Sequence, residues 1–217
     1  MDIKEIKAIL FDFDGTLADT APGIVNTMQE TFKTMQLPVP TEEAIRQTIG
    51  LKLEDGVKVL GRFDDATAQK GVAIYRELFM KIELSKIQIF PEVKETLTIL
   101  QQMGIRMAIC TSRGLNSLNF ILTANNMNDY FEEIITASAN LPTKPAPDMV
   151  FELLKRMNLT ANEVLVVGDT TFDIEMGHNA GCKTIAVTYG NHSTEILATS
   201  HPTYIIDHFN ELLEQRV

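Results

Sequence analysis

The spacing of apolar positions changes rhythm along the chain. Ile6 to Phe13 is a nearly unbroken apolar run rich in β-branched and aromatic residues, which predicts a central strand covered on both faces. From 17 to 85 the spacing turns helical. Ile24, Met28, Phe32 and Met35 recur at helical intervals, as do Val72, Tyr75, Phe79 and Ile82. Pro38 and Pro40, followed by Thr41-Glu42-Glu43-Ala44, separate one helix from the next. These Met and aromatic stripes read as core faces, and no strand is predicted in the stretch.

From Ile89 onward helices and strands alternate. Val93, Leu97 and Leu100 mark a helix ended by Gly104, and Ile105 to Cys110 is a strand. A helix from about Leu115 to Asn125, a short strand at Glu133 to Ala137 and a helix over Pro147 to Met157 follow. Val164 to Val167 is a strand, and Ile174 to Ala180 a helix closed by Gly181. Thr184 to Val187 is a further strand, Tyr204 to Ile206 a weaker one, and a last helix is expected after Asp207. This alternation implies a parallel sheet wrapped on both faces. The first strand belongs mid-sheet, with the helical stretch leaving from its carboxyl end. Ligands of such sheets bind beyond the carboxyl ends of the strands, at the topological switch point.

That position is where the chemistry-bearing residues fall. Asp12 and Asp14 stand two apart at the end of the first run, so their side chains share a face, and Gly15 permits the turn after them. Carboxylates crowded in this way shift each other's pKa unless a cation lies between them. A lone D-x-D could equally be a strand ending in turn-forming acids. The second core strand ends in Thr111-Ser112-Arg113-Gly114, which reads either as an anion cradle at a helix start or as an N-cap. Lys144 sits in the short Pro-rich segment Leu141 to Asp148, stiffly placed for chemistry or simply a surface charge. Val166 to Asp173 ends a fourth strand in Gly168 and Asp169, with Asp173 near the next helix start, where a cap is the alternative role. Four aspartates, a hydroxyl and a lysine thus come from the ends of four strands. That layout suits Mg²⁺, a hard cation that takes a few carboxylates, waters and phosphate oxygens.

Composition narrows the partner. The chain has 217 residues, enough for an α/β core carrying a smaller insertion, and 45% of them are hydrophobic. A net charge of −10 disfavours nucleic acid or an anionic membrane, and makes local positive charge necessary if the substrate is anionic. Mg²⁺ with Lys144 would supply it. No signal core or spanning run occurs, and Cys110 and Cys182 both lie beside core-like segments, so a cytoplasmic protein with reduced thiols is expected.

Asp-x-Asp-Gly-Thr at 12 to 16, the hydroxyl at 111, Lys144 and Gly-Asp-x-x-x-Asp at 168 to 173 together resemble the haloacid dehalogenase-like hydrolase superfamily, over nearly the whole chain. The resemblance implies an α/β fold: a Rossmann-like core of residues 1–16 and 86–217, with an all-helical cap domain of residues 17–85. It implies Asp12 as a nucleophile that becomes an aspartyl phosphate, and Asp14 as general acid and base. It implies Mg²⁺ held by Asp12, the backbone carbonyl of Asp14 and Asp169. Thr111, backbone groups near Ser112, and Lys144 would bind phosphoryl oxygens, while Asp173 would order a metal-bound water or hold Lys144. Hinges are expected near Leu17 to Ala21 and Ser85 to Phe90.

Asp14 favours phosphate chemistry over dehalogenation, because a departing halide needs no proton. Sugar-phosphate mutases of the β-phosphoglucomutase type resemble the chain too, but usually have a hydrophobic residue where Thr16 stands and a cap arginine near the position of Leu53. The segment around Gly50, Thr111-Ser112 and Lys144-Pro145-Ala146-Pro147-Asp148 look most like phosphoglycolate phosphatase and related pyrophosphatases. Gly50 and Lys52 are the candidates for the cap's specificity loop. Arg113 is either a phosphate-side contact or an exposed helix-start residue. The substrate expected is a small phosphorylated metabolite, and a non-catalytic binding protein retaining the fold is the reading from a different class.

Overall fold

Alternate residues of the first strand feed two separate hydrophobic layers. In β1 (Ala8–Phe11), Ala8 and Leu10 pack into one cluster with Val150 and Leu153, while Ile9 and Phe11 pack into another with Leu97, Leu100 and Phe209. A strand with no solvent face has no polar positions to alternate with, which is why its sequence is continuously apolar. The structure is a computed structural model that describes residues 6–82 and 86–214; both chain ends, the side chain of Ile82 and the hinge residue Ser85 lie outside it.

After β1 come β2 (Ala18–Asp19) and four helices: α1 (Ala21–Thr34), α2 (Glu42–Arg46), α3 (Leu53–Gly61) and α4 (Asp65–Ile82). Next are β3 (Gln88–Ile89), α5 (Val93–Gln102), β4 (Arg106–Cys110), α6 (Leu115–Ala124), β5 (Glu133–Ile135) and α7 (Asp148–Met157). The chain closes with β6 (Val164–Gly168), α8 (Thr171–Asn179), β7 (Lys183–Val187), α9 (Thr194–Thr199) and β8 (Tyr204–Ile206). The main sheet has six strands in the order β5-β4-β1-β6-β7-β8, all parallel. It is an α/β sheet with β1 inside, as the alternating pattern requires. β1 lies between β4 and β6, so three strand ends open at one place.

The helical stripes are core faces. Val25, Met28 and Phe32 of α1 meet Val72, Tyr75 and Phe79 of α4, with Ile45 and Val57 of α2 and α3 completing the layer. Ile24 and Met35, from the same stripe, are only half-buried. Phe32 stacks on Phe63 with ring centroids 5.6 Å apart.

Two local expectations are corrected. Residues 17–85 were expected to hold no strand, yet Ala18 and Asp19 pair antiparallel with Ile89 and Gln88. Two residues are too short to carry a period, and only the return of the chain at β3 makes them a strand. This ribbon ties together the chain's entry into and exit from the helical stretch, and the Phe90 N–H donates to the Leu17 carbonyl at 3.1 Å beside it. The expected last helix is a 3-10 segment, Phe209–Glu214, anchored by buried Phe209 and Leu212.

Candidate active site

Asp12 follows the last residue of β1, but its N–H still donates to the Val167 carbonyl at 2.9 Å. Its backbone is thus clamped to β6, and the side chain has a fixed origin. Gly15 turns the chain at φ +90°. A Cβ there would lie 2.2 Å from Asp169 Oδ2 and 2.3 Å from Asn191 Nδ2, so close approach as well as backbone conformation demands glycine.

Lys144 stands at the centre of the cluster. Its Nζ donates to Asp12 Oδ1 at 2.5 Å and to Asp173 Oδ1 at 2.6 Å, and only 1% of the residue is exposed. Of the two readings of Lys144, a surface charge is excluded. Asp173 both holds Lys144 and caps a helix, one with each oxygen. Oδ1 holds Lys144, while Oδ2 accepts the Thr170 hydroxyl at 2.6 Å and the Thr170 N–H at 3.1 Å, capping α8. Asp169 Oδ1 accepts from the Thr16 hydroxyl at 3.0 Å. Its Oδ2 accepts from the backbone N–H and the side-chain amide of Asn191, each at 2.7 Å. The same amide reaches the Asp14 carbonyl at 3.4 Å.

Carboxylate oxygens of Asp12, Asp169 and Asp173 lie within 4.8 Å of one another. Burial pushes the Asp12 carboxyl well above the usual range; Lys144 pulls it down, and Asp173, Asp169 and Asp14 push it up again. Burial, then Asp173, lifts Asp169 to about 7 against the bonds from Asn191 and Thr16. Burial by itself would discharge Lys144, but Asp12 and Asp173 hold its ammonium well above the ordinary value. Three buried carboxylates therefore stand beside one ammonium, which binds two of them. Asp12 Oδ2 is moreover buried without a hydrogen-bond partner among the described residues. An orphaned carboxylate oxygen beside excess negative charge is the donor set a hard divalent cation takes, so these residues fit Mg²⁺.

The Asp14 side chain points elsewhere. Arg113 Nε donates to its Oδ1 and Oδ2 at 2.9 and 3.0 Å, and Nη2 to Oδ1 at 2.5 Å. Of the two readings of Arg113, a phosphate contact or an exposed helix-start residue, exposure is excluded. Arg113 is buried, and although burial opposes its charge, Asp14 beside it and Tyr75 and Asp12 nearby raise its pKa. Thr111 is buried and its hydroxyl accepts the Arg113 N–H at 3.1 Å.

The two cap-loop candidates dock on the sheet end. The Ser112 hydroxyl donates to the Gly50 carbonyl at 2.7 Å, and Lys52 Nζ to the Leu141 carbonyl at 3.0 Å. Asp12, Asp14, Thr111, Ser112 and Arg113 line a cleft of about 720 Å³ together with Gly50, Lys52, Tyr75 and Phe79 of the helical stretch. The sequence gives no signal that singles out Asn191, and Thr16 stands there as a motif residue and a branch marker, without a role at the site. A polar residue after a strand is the only local signal Asn191 offers.

Residues 9–187 match the family model for haloacid dehalogenase-like hydrolases. The chain is 34% identical to a phosphoglycolate phosphatase of Yersinia pestis, covering 97% of this chain and 93% of that one. It is 29% identical to the phosphoglycolate phosphatase of Vibrio parahaemolyticus, over 99% and 97% of the two chains. Among solved structures, a haloacid dehalogenase-like family hydrolase from Streptococcus pneumoniae superposes with a TM-score of 0.86 at 26% identity, covering 97% of this chain and 98% of that one.

Proposed function

The chain belongs to the haloacid dehalogenase-like hydrolases, and on that premise we propose that it is a phosphatase that hydrolyses a small phosphomonoester of the phosphoglycolate type. Residues 1–16 and 86–217 act as the hydrolase core, and residues 17–85 as a cap closing over it. No described helix is long and apolar enough to cross a membrane, which suits a substrate met in solution.

The observation that carries the reading is Asp12 itself. Lys144 fixes one carboxylate oxygen, and the other is buried and unpaired at the edge of the cleft. A fixed carboxylate with one oxygen free of hydrogen bonds can turn one oxygen to phosphorus and leave the other to Lys144 or the cation. In the proposed reaction an Asp12 oxygen bonds to phosphorus as the ester P–O bond breaks. The leaving oxygen keeps that electron pair and takes a proton from Asp14. Water then attacks the aspartyl phosphate and gives its proton to Asp14, and Asp12 departs with its electron pair restored. Thr111, backbone N–H groups at Ser112, and Lys144 orient the phosphoryl oxygens. Asp173 keeps Lys144 aimed. Asp12, Asp169 and the Asp14 carbonyl would hold Mg²⁺, which when bound would offset carboxylate charge and stabilise the charge on the transferring group.

The test is phosphate release from phosphoglycolate, pyrophosphate, β-glucose 1-phosphate and an aryl phosphate, with Mg²⁺ or with chelator, for wild type and Asp12→Asn. Release should need Mg²⁺ and favour a carboxylate-bearing monoester. Asp12→Asn should fold, yet turn over slower by about a thousandfold or more. Near-normal rates in that variant would remove Asp12 from the nucleophile role. Isomerisation of the sugar phosphate without net phosphate release would mark a mutase, and no turnover of any ester a binding protein.

A further inference from the structure

Arg113 is the deeply buried cation of the cleft for which the proposed reaction has no use. Its surroundings come from three directions. Towards the sheet end its forked N–H groups take Asp14; Oδ1 receives bonds from Nε and Nη2, whereas Oδ2 receives from Arg113 the Nε bond alone, at 3.0 Å. Along α6, Nη1 donates to the Ser117 hydroxyl at 3.2 Å. Its guanidinium carbon lies 5.9 Å from the ring centroid of Phe13 and 5.1 Å from that of Phe79. Phe13 is the residue between the two catalytic aspartates, and Phe79 belongs to α4 of the helical insertion.

We propose that Arg113 is the positioning residue for Asp14, and that through Phe79 it makes the orientation of that carboxylate depend on how the helical insertion is seated. The inference rests on the acid–base reading of Asp14. A planar fork fixes rotation about the carboxylate's last bond, which a single ammonium cannot do. It saturates Oδ1 and leaves Oδ2 as the oxygen with room to exchange a proton with the leaving group or with water. The grip itself depends on dryness and on the ring above it: with α4 drawn away, the guanidinium loses a cation–π partner and gains water. Asp14 is then free to rotate. Proton transfer is thereby confined to the seated state, in which the ester is also shielded from water.

A positioning role separates from a structural one by its dependence on the leaving group. p-Nitrophenolate departs without needing a proton, whereas an alkoxide does not. Arg113→Ala should slow turnover of the alkyl ester that is best in the metabolite screen by about a hundredfold, the lower end of what an aligned general acid supplies. The initial burst of p-nitrophenolate from p-nitrophenyl phosphate, which reports the first transfer, should stay within about threefold of wild type. Arg113→Lys should not restore the alkyl rate, because lysine lacks the fork, while millimolar guanidinium added to Arg113→Ala should restore part of it. Phe79→Ala should show the same selectivity more weakly, and serves if Arg113→Ala fails to fold by circular dichroism. Equal losses on both esters, or no loss on either, would overturn the inference. Asp14→Asn is the control. If it shows the leaving-group dependence and Arg113→Ala does not, Arg113 alone is misassigned; if Asp14→Asn lacks it, the acid–base reading falls and this inference with it.

Discussion

Asn191 grips Asp169 twice on the same oxygen, with its backbone N–H and its side-chain amide each 2.7 Å from Oδ2. Two donors fixed by one residue leave the carboxylate no freedom to turn. A Cβ on the neighbouring Gly190 would lie 2.3 Å from Asp169 Cβ, so the loop also packs flush against the acid. A partner that orients a metal-binding carboxylate typically contributes ten- to a hundredfold in affinity. Asn191→Ala should therefore weaken Mg²⁺ binding by about tenfold in calorimetry, with the far-UV spectrum unchanged. Unaltered affinity would reduce Asn191 to a loop residue.

The raised Asp169 makes metal-free stability fall as pH rises. Below about 3.8, its ordinary value, folded and unfolded chains both hold the proton. Between there and about 7 only the folded chain holds it, so the fold loses up to about 1.4 kcal/mol per pH unit, and above about 7 the loss is complete. Asp12, also shifted upward, adds in the same sense. In chelator the melting temperature should rise as pH is lowered from 8 to 6, on the order of several degrees. Saturating Mg²⁺ should flatten that slope, because the cation replaces the proton. A chelated protein whose melting point falls over this range would contradict the charge arrangement described.

Replacing Lys144 by methionine keeps the bulk of the side chain and removes the ammonium, leaving Asp12 and Asp173 buried and uncompensated. Breaking one half of a buried pair costs about 3–5 kcal/mol. The urea midpoint of Lys144→Met should drop accordingly in chelator and recover partly with Mg²⁺. An unchanged midpoint would mean that neither carboxylate is charged in the native state.

Ser112→Ala removes the hydroxyl that holds the Gly50 carbonyl and so loosens the insertion's loop over the cleft. Loss of one such bond is worth about 1 kcal/mol, or roughly fivefold in an equilibrium. KM should rise by about that factor, with kcat nearly constant. A fall in kcat at fixed KM would instead place Ser112 in the chemical step.

Much of the architecture was legible in advance because its causes are local. A strand buried on both faces must be apolar throughout, and Ala8 to Phe11 are. Asp12 and Asp14 share one turn, as do Asp169 and Asp173, so each pair is visible within a few residues. What stayed hidden are contacts that close long loops. Asn191 meets Asp169 across 22 residues, Arg113 meets Asp14 across 99, and Thr16 meets Asp169 across 153. Nothing in Thr111-Ser112-Arg113-Gly114 distinguishes an arginine bound for solvent from one that will be caged between Phe13 and Phe79. The β2–β3 ribbon escaped for the same reason: its two strands are each too short to have a pattern.

The amino-acid order alone determined the parallel α/β core, the helical stretch interrupting it, and the gathering of acids, hydroxyl and lysine at one edge of the sheet. Hydrophobic periodicity and strand termination act over neighbouring residues, and so leave their mark in any short window. The tertiary structure alone decided how the charges divide. Lys144 goes to Asp12 and Asp173, Arg113 to Asp14, and Asp169 has only neutral hydrogen-bond donors among the described residues. Coulombic and hydrogen-bond energies depend on distance in space and on burial, and chain separation specifies neither.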